Sequence, residues 1–141
     1  KALRIFAAIF QSYPQARYLF IGPDGGDLAR LQRLVNTMGL SDAVSFLGEM
    51  DFDEIYKNAS QASFYLQTSE LEGMALSVIE AMQLGLVPVV TSVGEIATYC
   101  KPFENALLVD SEIEAAGDIM SVLENNSLYQ ELRQNAIDTW E

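Results

Sequence analysis

The 141-residue sequence contains no histidine and a single cysteine, Cys100. Without an imidazole, this chain alone cannot build a Ser-His-Asp triad, a Cys-His pair or a histidine metal site, which excludes much hydrolytic chemistry. Without a second cysteine it cannot form an intramolecular disulfide, and a lone cysteine among apolar neighbours is more often inert core than a nucleophile. This usage suits a reducing compartment, and we expect a cytoplasmic protein.

Basic residues are also scarce, since eight Lys and Arg stand against twenty Asp and Glu, for a formal net charge of -12. Such a charge repels nucleic-acid phosphates and anionic lipid surfaces over a Debye length of about 10 Å. We therefore expect no nucleic-acid partner and no direct membrane contact from this chain. No apolar run approaches the roughly 18 residues that a membrane-spanning helix needs. Because the sequence opens on Lys1 within helical spacing, we expect a piece of a longer polypeptide.

Half of the residues are hydrophobic, which is enough for one domain to close a core over a sheet. Segments of helical spacing alternate with short apolar runs that are typical of strands buried on both faces. The predicted helices cover residues 2–11, 27–38, 51–59, 76–84, 95–100, 112–124 and 128–139, and the predicted strands cover 17–22, 43–48, 62–69, 88–92 and 106–110. This alternation predicts an α/β fold with a doubly wound parallel sheet, as a single domain over residues 1–141.

Ligands of such sheets bind at the carboxyl ends of the strands, and the loops there begin after Gly22, Gly48, Ser69 and Ser92. The loop after Gly22, GPDGG, leads from a strand into a helix as phosphate-binding turns do. It matches neither the dinucleotide pattern nor a P-loop, so the sequence favours a plain tight turn there.

The loop after Ser69 carries Glu72 and Gly73 immediately before a predicted helix. Gly73 permits a close approach of the backbone, and the N–H groups that open the helix suit an anionic group. A phosphate at this helix start, flanked by carboxylates that bind hydroxyls, would make a sugar-phosphate or nucleotide-sugar pocket. The alternative is that Glu72 is an acidic residue near a helix start, favoured by the helix dipole without any ligand.

Glu80 lies within that helix, on a narrow polar stripe with Ser77 and Gln83, while the other positions are largely apolar. One interpretation is that the stripe faces water and Glu80 is simply solvated. The other is that the stripe faces a ligand cleft, where hydrogen bonds from ligand hydroxyls would offset the cost of desolvating the carboxylate. The spacing alone leaves both interpretations open.

The segment SELEGMALSVIEAMQLGLVPVVTSVGE, residues 69–95, resembles the E-x7-E region of the retaining GT-B-fold glycosyltransferases, the glycosyl transferases group 1 family. Its two glutamates are Glu72 and Glu80. Residues 17–50 are similar to that family's strand, glycine turn, helix and FLG strand, and residues 104–136 to its closing segment. Ala75 stands where the family often has glycine, and VGE stands where VGG is frequent.

The resemblance implies a Rossmann-like domain, the C-terminal, donor-binding half of a two-domain enzyme whose missing N-terminal domain binds the acceptor. It implies that Glu72 contacts hydroxyls of the transferred sugar, as the catalytic residue, and that Glu80 holds the ribose of the nucleotide. The loop that begins at Gly48 would lie near the base. The remaining residues expected to bind the donor are Gly22, Gly73, Met74, Ala75 and Leu76.

The implied activity is that of a hexosyltransferase-type enzyme, which transfers a sugar from a UDP- or GDP-linked donor to a hydroxyl acceptor with retention of anomeric configuration. The resemblance implies no metal and no cofactor, because protein donors neutralise the leaving diphosphate. The family's Arg and Lys upstream of the first helix, which hold the leaving phosphates, lie outside this sequence, so we expect the chain alone to be inactive. Two alternatives stay open: a catalytically inactive nucleotide-sugar-binding module, and another two-domain α/β enzyme such as a nucleotide-sugar epimerase.

Overall fold

The computed structural model describes all of residues 1–141 and contains seven helices and five strands. Every element predicted from the sequence is present, and the strands are shorter than predicted. In chain order the elements are α1 (Ala2–Ser12), β1 (Tyr18–Ile21), α2 (Leu28–Thr37), β2 (Val44–Gly48), α3 (Phe52–Ala59), β3 (Phe64–Gln67), α4 (Leu76–Gln83), β4 (Val87–Val90), α5 (Ile96–Tyr99), β5 (Leu107–Leu108), α6 (Glu112–Leu123) and α7 (Asn126–Thr139).

All strand pairs are parallel, which confirms the α/β class and the parallel direction predicted from the alternation of elements. The strands nevertheless form two hydrogen-bonded groups, β1 with β2, and β3, β4 and β5 in that order. No ladder joins β1 to β3, so the parallel strands form two separate hydrogen-bonded groups. Side-chain packing, rather than backbone pairing, holds the two groups together.

Helix α1 provides that packing because it buries side chains on two faces. Ile5 and Ile9 pack into a cluster formed mainly by β4, β5, α6 and α7. Leu3 and Phe6 pack into a second cluster with residues of α2 and β2. The aromatic ring of Phe6 also lies 5.4 Å from that of Tyr18 in β1. The apolar residues of one helix thus close the cores of both strand groups.

Strand β4 is buried at every position although it contains a proline, Pro88. The N–H groups of Val87 and Thr91 donate to the carbonyls of Ser63, just before β3, and Gln67, the last residue of β3, so alternate residues of β4 face that side. The nitrogen of Pro88 therefore faces β5, whose pairing begins only at Val89. Because no strand pairs with Pro88 on that side, the missing N–H removes no hydrogen bond from the sheet. The central strand can therefore contain a proline.

The carboxyl ends of β3 and β4 lie side by side because Gln67 pairs in register with Val90. The loop of residues 68–75 and the loop of residues 91–95 therefore begin next to each other, at the sheet edge where the sequence predicts a ligand site. None of the seven helices combines the length and apolarity that crossing a membrane requires.

Replacing Ile5 by alanine tests the role of α1. Its side chain is 0% exposed, and we expect the free energy of unfolding to fall by about 2–5 kcal/mol because a cavity is left in the core. Ile113, which is 85% exposed in another helix, is the matched control, and Ile113→Ala should change stability by less than about 0.5 kcal/mol. Urea unfolding of both variants provides the measurement, and equal losses would contradict the assignment.

Candidate functional site

Glu72 lies in the loop of residues 68–75 and is held by an amide at the end of β3. Its Oε1 accepts a hydrogen bond of 2.9 Å from Nε2 of Gln67. Oε1 of Gln67 in turn accepts from the hydroxyl of Tyr65 at 2.9 Å and from Oγ of Ser77 at 3.0 Å. The strand, the loop and the first turn of α4 are thereby joined through one side chain.

The same loop is held from its other side by the β4–α5 segment. The N–H of Glu95 donates to the carbonyl of Gly73 at 3.0 Å, and the hydroxyl of Tyr99 donates to the carbonyl of Met74 at 2.6 Å. Thr91 donates to a third carbonyl, that of Ser69. Three loop carbonyls are therefore occupied by neighbouring groups, which fixes the path of the backbone.

Gly94 makes the contact between the two loops possible. A Cβ atom at this position would lie 1.9 Å from the carbonyl oxygen of Glu72 and 2.7 Å from that of Gly73. The φ angle of Gly94 is also +55°, which side-chain-bearing residues rarely adopt. Only glycine allows the loops to approach this closely.

The backbone N–H groups of the loop remain unused while its carbonyls are bonded. Gly73, Met74 and Ala75 donate no hydrogen bond from their main-chain nitrogens to the rest of the chain. They lead into α4, whose N-cap residue, Ala75, supplies no side-chain cap. Consecutive unbonded N–H groups at a helix N-terminus concentrate positive electrostatic potential, so this segment can accept an anionic group.

Ala75 occupies the left-handed region with φ 57°, although it is not glycine. A left-handed conformation costs an L-residue roughly 1–2 kcal/mol. The residue is only 8% exposed, and its methyl group packs into a buried cluster that includes Val78 and Met82. The methyl group therefore faces the core, while the adjacent side chains of Met74 and Leu76 are exposed.

Glu80 is exposed on α4, as are Ser77 and Gln83 of the same polar stripe. Burial raises the pKa of the Tyr65 phenol, and the negative charges of Glu72 and Glu80 raise it further, against an opposing hydrogen bond from Ser77. Both carboxylates therefore act on the same phenol. No group of three or more His, Cys, Asp or Glu side chains is placed to hold a metal ion.

Gly22 and Gly48 meet at the carboxyl edge of the other strand group. The N–H of Gly22 donates to the carbonyl of Gly48 at 2.8 Å. Both residues line an open cavity of about 420 Å³, together with Glu49 and the stacked rings of Phe20 and Phe46. These two predicted residues are therefore adjacent to each other, but they belong to a different strand group from Glu72 and Glu80.

The GPDGG run after β1 is closed by its own aspartate. Oδ1 of Asp24 accepts hydrogen bonds from the N–H groups of Gly26 at 2.8 Å and Leu28 at 3.2 Å. Because a carboxylate already occupies these donors, they are not available to a phosphate, and the tight-turn interpretation agrees with the structure.

Three residues of the site, Gln67, Gly94 and Tyr99, were not predicted from the sequence. A polar residue that ends a buried strand at the carboxyl edge is a signal that could have identified Gln67. Gly94 lies in the loop after β4, and it contacts Glu72 only because β4 pairs with β3. No local sequence pattern could have identified Tyr99, because its hydroxyl bonds to the carbonyl of Met74, 25 residues away along the chain.

Substituting Gly94 by alanine tests the contact between the loops. We expect a loss of roughly 2–4 kcal/mol in the free energy of unfolding, because the methyl group overlaps the Glu72 carbonyl and the φ angle is left-handed. Gly25→Ala is the control, since a Cβ atom there meets nothing within 4 Å, and it should shift stability by less than about 1 kcal/mol. Thermal unfolding measures both, and a well-folded Gly94→Ala protein of normal stability would contradict the contact.

Alkaline pH tests the environment of Cys100, which is buried beside Tyr99. Burial raises the pKa of its thiol from 9.0 to about 12, with a smaller opposing effect of Lys101. Above pH 9 the unfolded chain releases this proton and the folded chain keeps it, so the contribution to stability is complete below pH 9 and disappears towards pH 12. We expect stability to decline more steeply between pH 9 and 11 in the wild type than in Cys100→Ala, as measured by urea unfolding. Parallel declines would refute this expectation.

The pattern of the Glycosyl transferases group 1 family matches residues 1–139 of this chain. Among curated proteins, the GDP-mannose:cellobiosyl-diphosphopolyprenol alpha-mannosyltransferase of Xanthomonas oryzae pv. oryzae is 25% identical over 126 residues, which are 87% of this chain and 33% of the relative. The chain therefore spans about a third of the length of this curated relative.

Two solved structures have the same fold. The C-terminal domain of LpcC, a glycosyl transferase group 1 family protein of Francisella tularensis, superposes with a TM-score of 0.82 at 24% identity, over 99% of this chain and 77% of that one. HepE of Anabaena, solved in complex with UDP-glucose, superposes with a TM-score of 0.85 at 22% identity, over 98% of this chain and 39% of that one. Together with the family match, these comparisons show that the chain belongs to the glycosyl transferases group 1 family and has the fold of a GT-B C-terminal domain.

Proposed function

We propose that this chain is the donor-binding domain of a retaining glycosyltransferase, which transfers a sugar from a nucleotide-diphosphate sugar to a hydroxyl acceptor. The observation that carries the proposal is the loop of residues 72–75, whose N–H groups at Gly73, Met74 and Ala75 are unbonded and which stands between Glu72 and Glu80 in the sequence. Two relatives support it, since HepE was solved with UDP-glucose and the Xanthomonas enzyme is named for GDP-mannose.

In this proposal the loop amides bind the diphosphate of the donor. A chain with a net charge of -12 repels phosphates at long range, so a diphosphate needs a local site of positive potential. The N–H groups of Gly73, Met74 and Ala75 and the start of α4 provide one without any basic side chain. Their positions are fixed by the bonds to the loop carbonyls, so binding would require little reorganisation.

The two glutamates would bind the hydroxyl-bearing ends of the donor on either side of the diphosphate. Glu72 lies directly before the loop amides, which suits the hydroxyls of the transferred sugar. Glu80 follows Leu76, the first residue of α4, by four positions, or about 6 Å along the helix axis. That distance suits the ribose, and a carboxylate can accept hydrogen bonds from both ribose hydroxyls. The base would lie towards the cavity at Gly22 and Gly48.

The proposed mechanism is positioning of the donor and stabilisation of the leaving diphosphate, rather than attack by a protein nucleophile. Glu72 would hold the sugar in place while the loop amides take up part of the charge that develops on the phosphate. The proposal includes no metal and no cofactor. It places the acceptor on a second domain and the enzyme in the cytoplasm, and it predicts that the 141-residue chain alone binds donor but transfers no sugar.

The replacement of the family's frequent glycine by Ala75 gives no specific support to the alternative of an inactive module. Its methyl group belongs to a buried cluster that includes Val78 and Met82. The backbone at Ala75 is left-handed, a conformation that glycine adopts without strain. The core therefore accommodates the methyl group of Ala75.

A ligand-observed NMR screen of the chain against UDP, GDP, ADP, UDP-glucose and GDP-mannose tests the proposal. We expect binding of a UDP or GDP compound, and a loss of about tenfold or more in affinity in Glu80→Ala, because a hydrogen bond to a charged group is removed. Glu131→Ala, on the exposed side of α7, is the matched control and should bind like the wild type. Unchanged affinity in Glu80→Ala would show that the assigned role is wrong.

A further inference from the structure

The hydrogen bonds of Gln67 are not used by any of the roles proposed above. We propose that Gln67 is a positioning residue, which holds the carboxylate of Glu72 in one orientation beside the loop amides. This inference rests on the proposed function, because it assigns Gln67 a task within the same donor site. The inference goes beyond the proposed function because it names a residue that need not touch the donor.

Glu72 depends on Gln67 because it has no other side-chain partner. The ion pairs of the chain are Arg4 with Glu112 and Arg30 with Asp27, so no cation neutralises or orients Glu72. Its carboxylate accepts one side-chain hydrogen bond, from Nε2 of Gln67 at 2.9 Å. A glutamate side chain in a loop otherwise samples several rotamers, which would weaken binding of any ligand that needs one of them.

The amide of Gln67 can adopt only one orientation in this environment. Its Oε1 accepts from the hydroxyls of Tyr65 and Ser77, at 2.9 and 3.0 Å, which leaves Nε2 to face Glu72. The reversed amide would place an oxygen against a carboxylate oxygen, and neither atom carries a hydrogen to share. The carboxylate therefore selects the orientation of the amide, because it can only accept, and the two hydroxyls hold the amide in place by donating to its oxygen.

The hydrogen bonds of Gln67 connect the loop to the sheet and so restrict the motion of Glu72. Gln67 is the last residue of β3 and pairs with Val90 of the buried strand β4. Tyr65 lies two positions earlier, on the same face of the strand, so its hydroxyl is anchored by the same ladder. Binding groups held by a second layer of fixed hydrogen bonds keep the geometry that a ligand requires.

The first experiment measures donor affinity in Gln67→Leu, by isothermal titration with whichever of UDP-glucose or GDP-mannose the wild type binds. We expect affinity to fall about tenfold, as for the loss of a hydrogen bond to a charged group. Gln130→Leu, an exposed glutamine of α7, is the matched control and should leave affinity unchanged. The same affinity in Gln67→Leu as in the wild type would overturn the proposal.

A double-mutant cycle separates positioning from a general structural effect. If Gln67 acts through Glu72, Gln67→Leu should cause no further loss of affinity in a Glu72→Ala background. Additive losses would mean that Gln67 contributes independently of Glu72 and would overturn the proposal.

The pH profile of Gln67→Glu provides a readout that a purely structural role would not change. The variant places two carboxyl groups at hydrogen-bond distance, where they share one proton at acidic pH and repel when both are ionised. Donor affinity should therefore be weak at pH 8 and should recover towards pH 5, relative to the wild type at each pH. The other ionisable groups near Glu72 are Tyr65 and Tyr99, together with Glu80 and Glu95, which act on the same two phenols, and all of them are present in both proteins. A parallel profile would contradict the proposal.

A measurement without ligand distinguishes failure of this inference from failure of the proposed function. NMR scalar couplings of the Glu72 side chain report whether it occupies one rotamer, and we expect averaging in Gln67→Leu but not in Gln130→Leu. If the wild type binds no donor, the proposed function fails, and these couplings still decide whether Gln67 fixes Glu72. A Glu72 rotamer that is unchanged in Gln67→Leu would overturn the inference even if donor binding is confirmed.

Discussion

The parallel pairing of β3 with β4 determines the shape of the candidate site. Because Gln67 is in register with Val90, the loops that follow the two strands begin side by side. Several contacts that shape the site cross between these neighbours, including the bond from Glu95 to Gly73 and the close approach of Gly94 to Glu72. A shift of register by one residue would separate these partners and exchange the faces of β3.

The site combines a strongly acidic chain with a segment suited to anions. Its positive potential comes from the backbone, since the N–H groups of residues 73–75 are unbonded and no basic side chain takes part in the bonds that hold the loop. Backbone dipoles act over short distances, whereas the net charge acts over about a Debye length. Because of this difference in range, the chain attracts an anion only once the anion has reached the loop.

The sequence predicted the order of elements, and it also singled out Glu72 and Glu80 as candidate site residues, because both inferences depend on local pattern. Periodicity identifies every helix and strand, and the spacing of Glu72 and Glu80 within its sequence context identifies the candidate glutamates. What could not be predicted depends on contacts between distant residues. Gln67, Gly94 and Tyr99 acquire their roles only when β3 and β4 pair, and the division of the sheet into two groups follows from side-chain packing that has no periodic signal. The direction of the Ala75 methyl group likewise depends on a left-handed backbone, which no helical pattern shows.

Helix α1 gives the molecule a property that neither strand group has separately. Leu3 and Phe6 belong to one core and Ile5 and Ile9 to the other, so both cores lose residues if this helix detaches. Two strand groups without a shared ladder would otherwise be free to unfold one at a time. Sharing a helix couples them into a single cooperative unit, in which the cavity at Gly22 and Gly48 and the loop at Glu72 persist or are lost together.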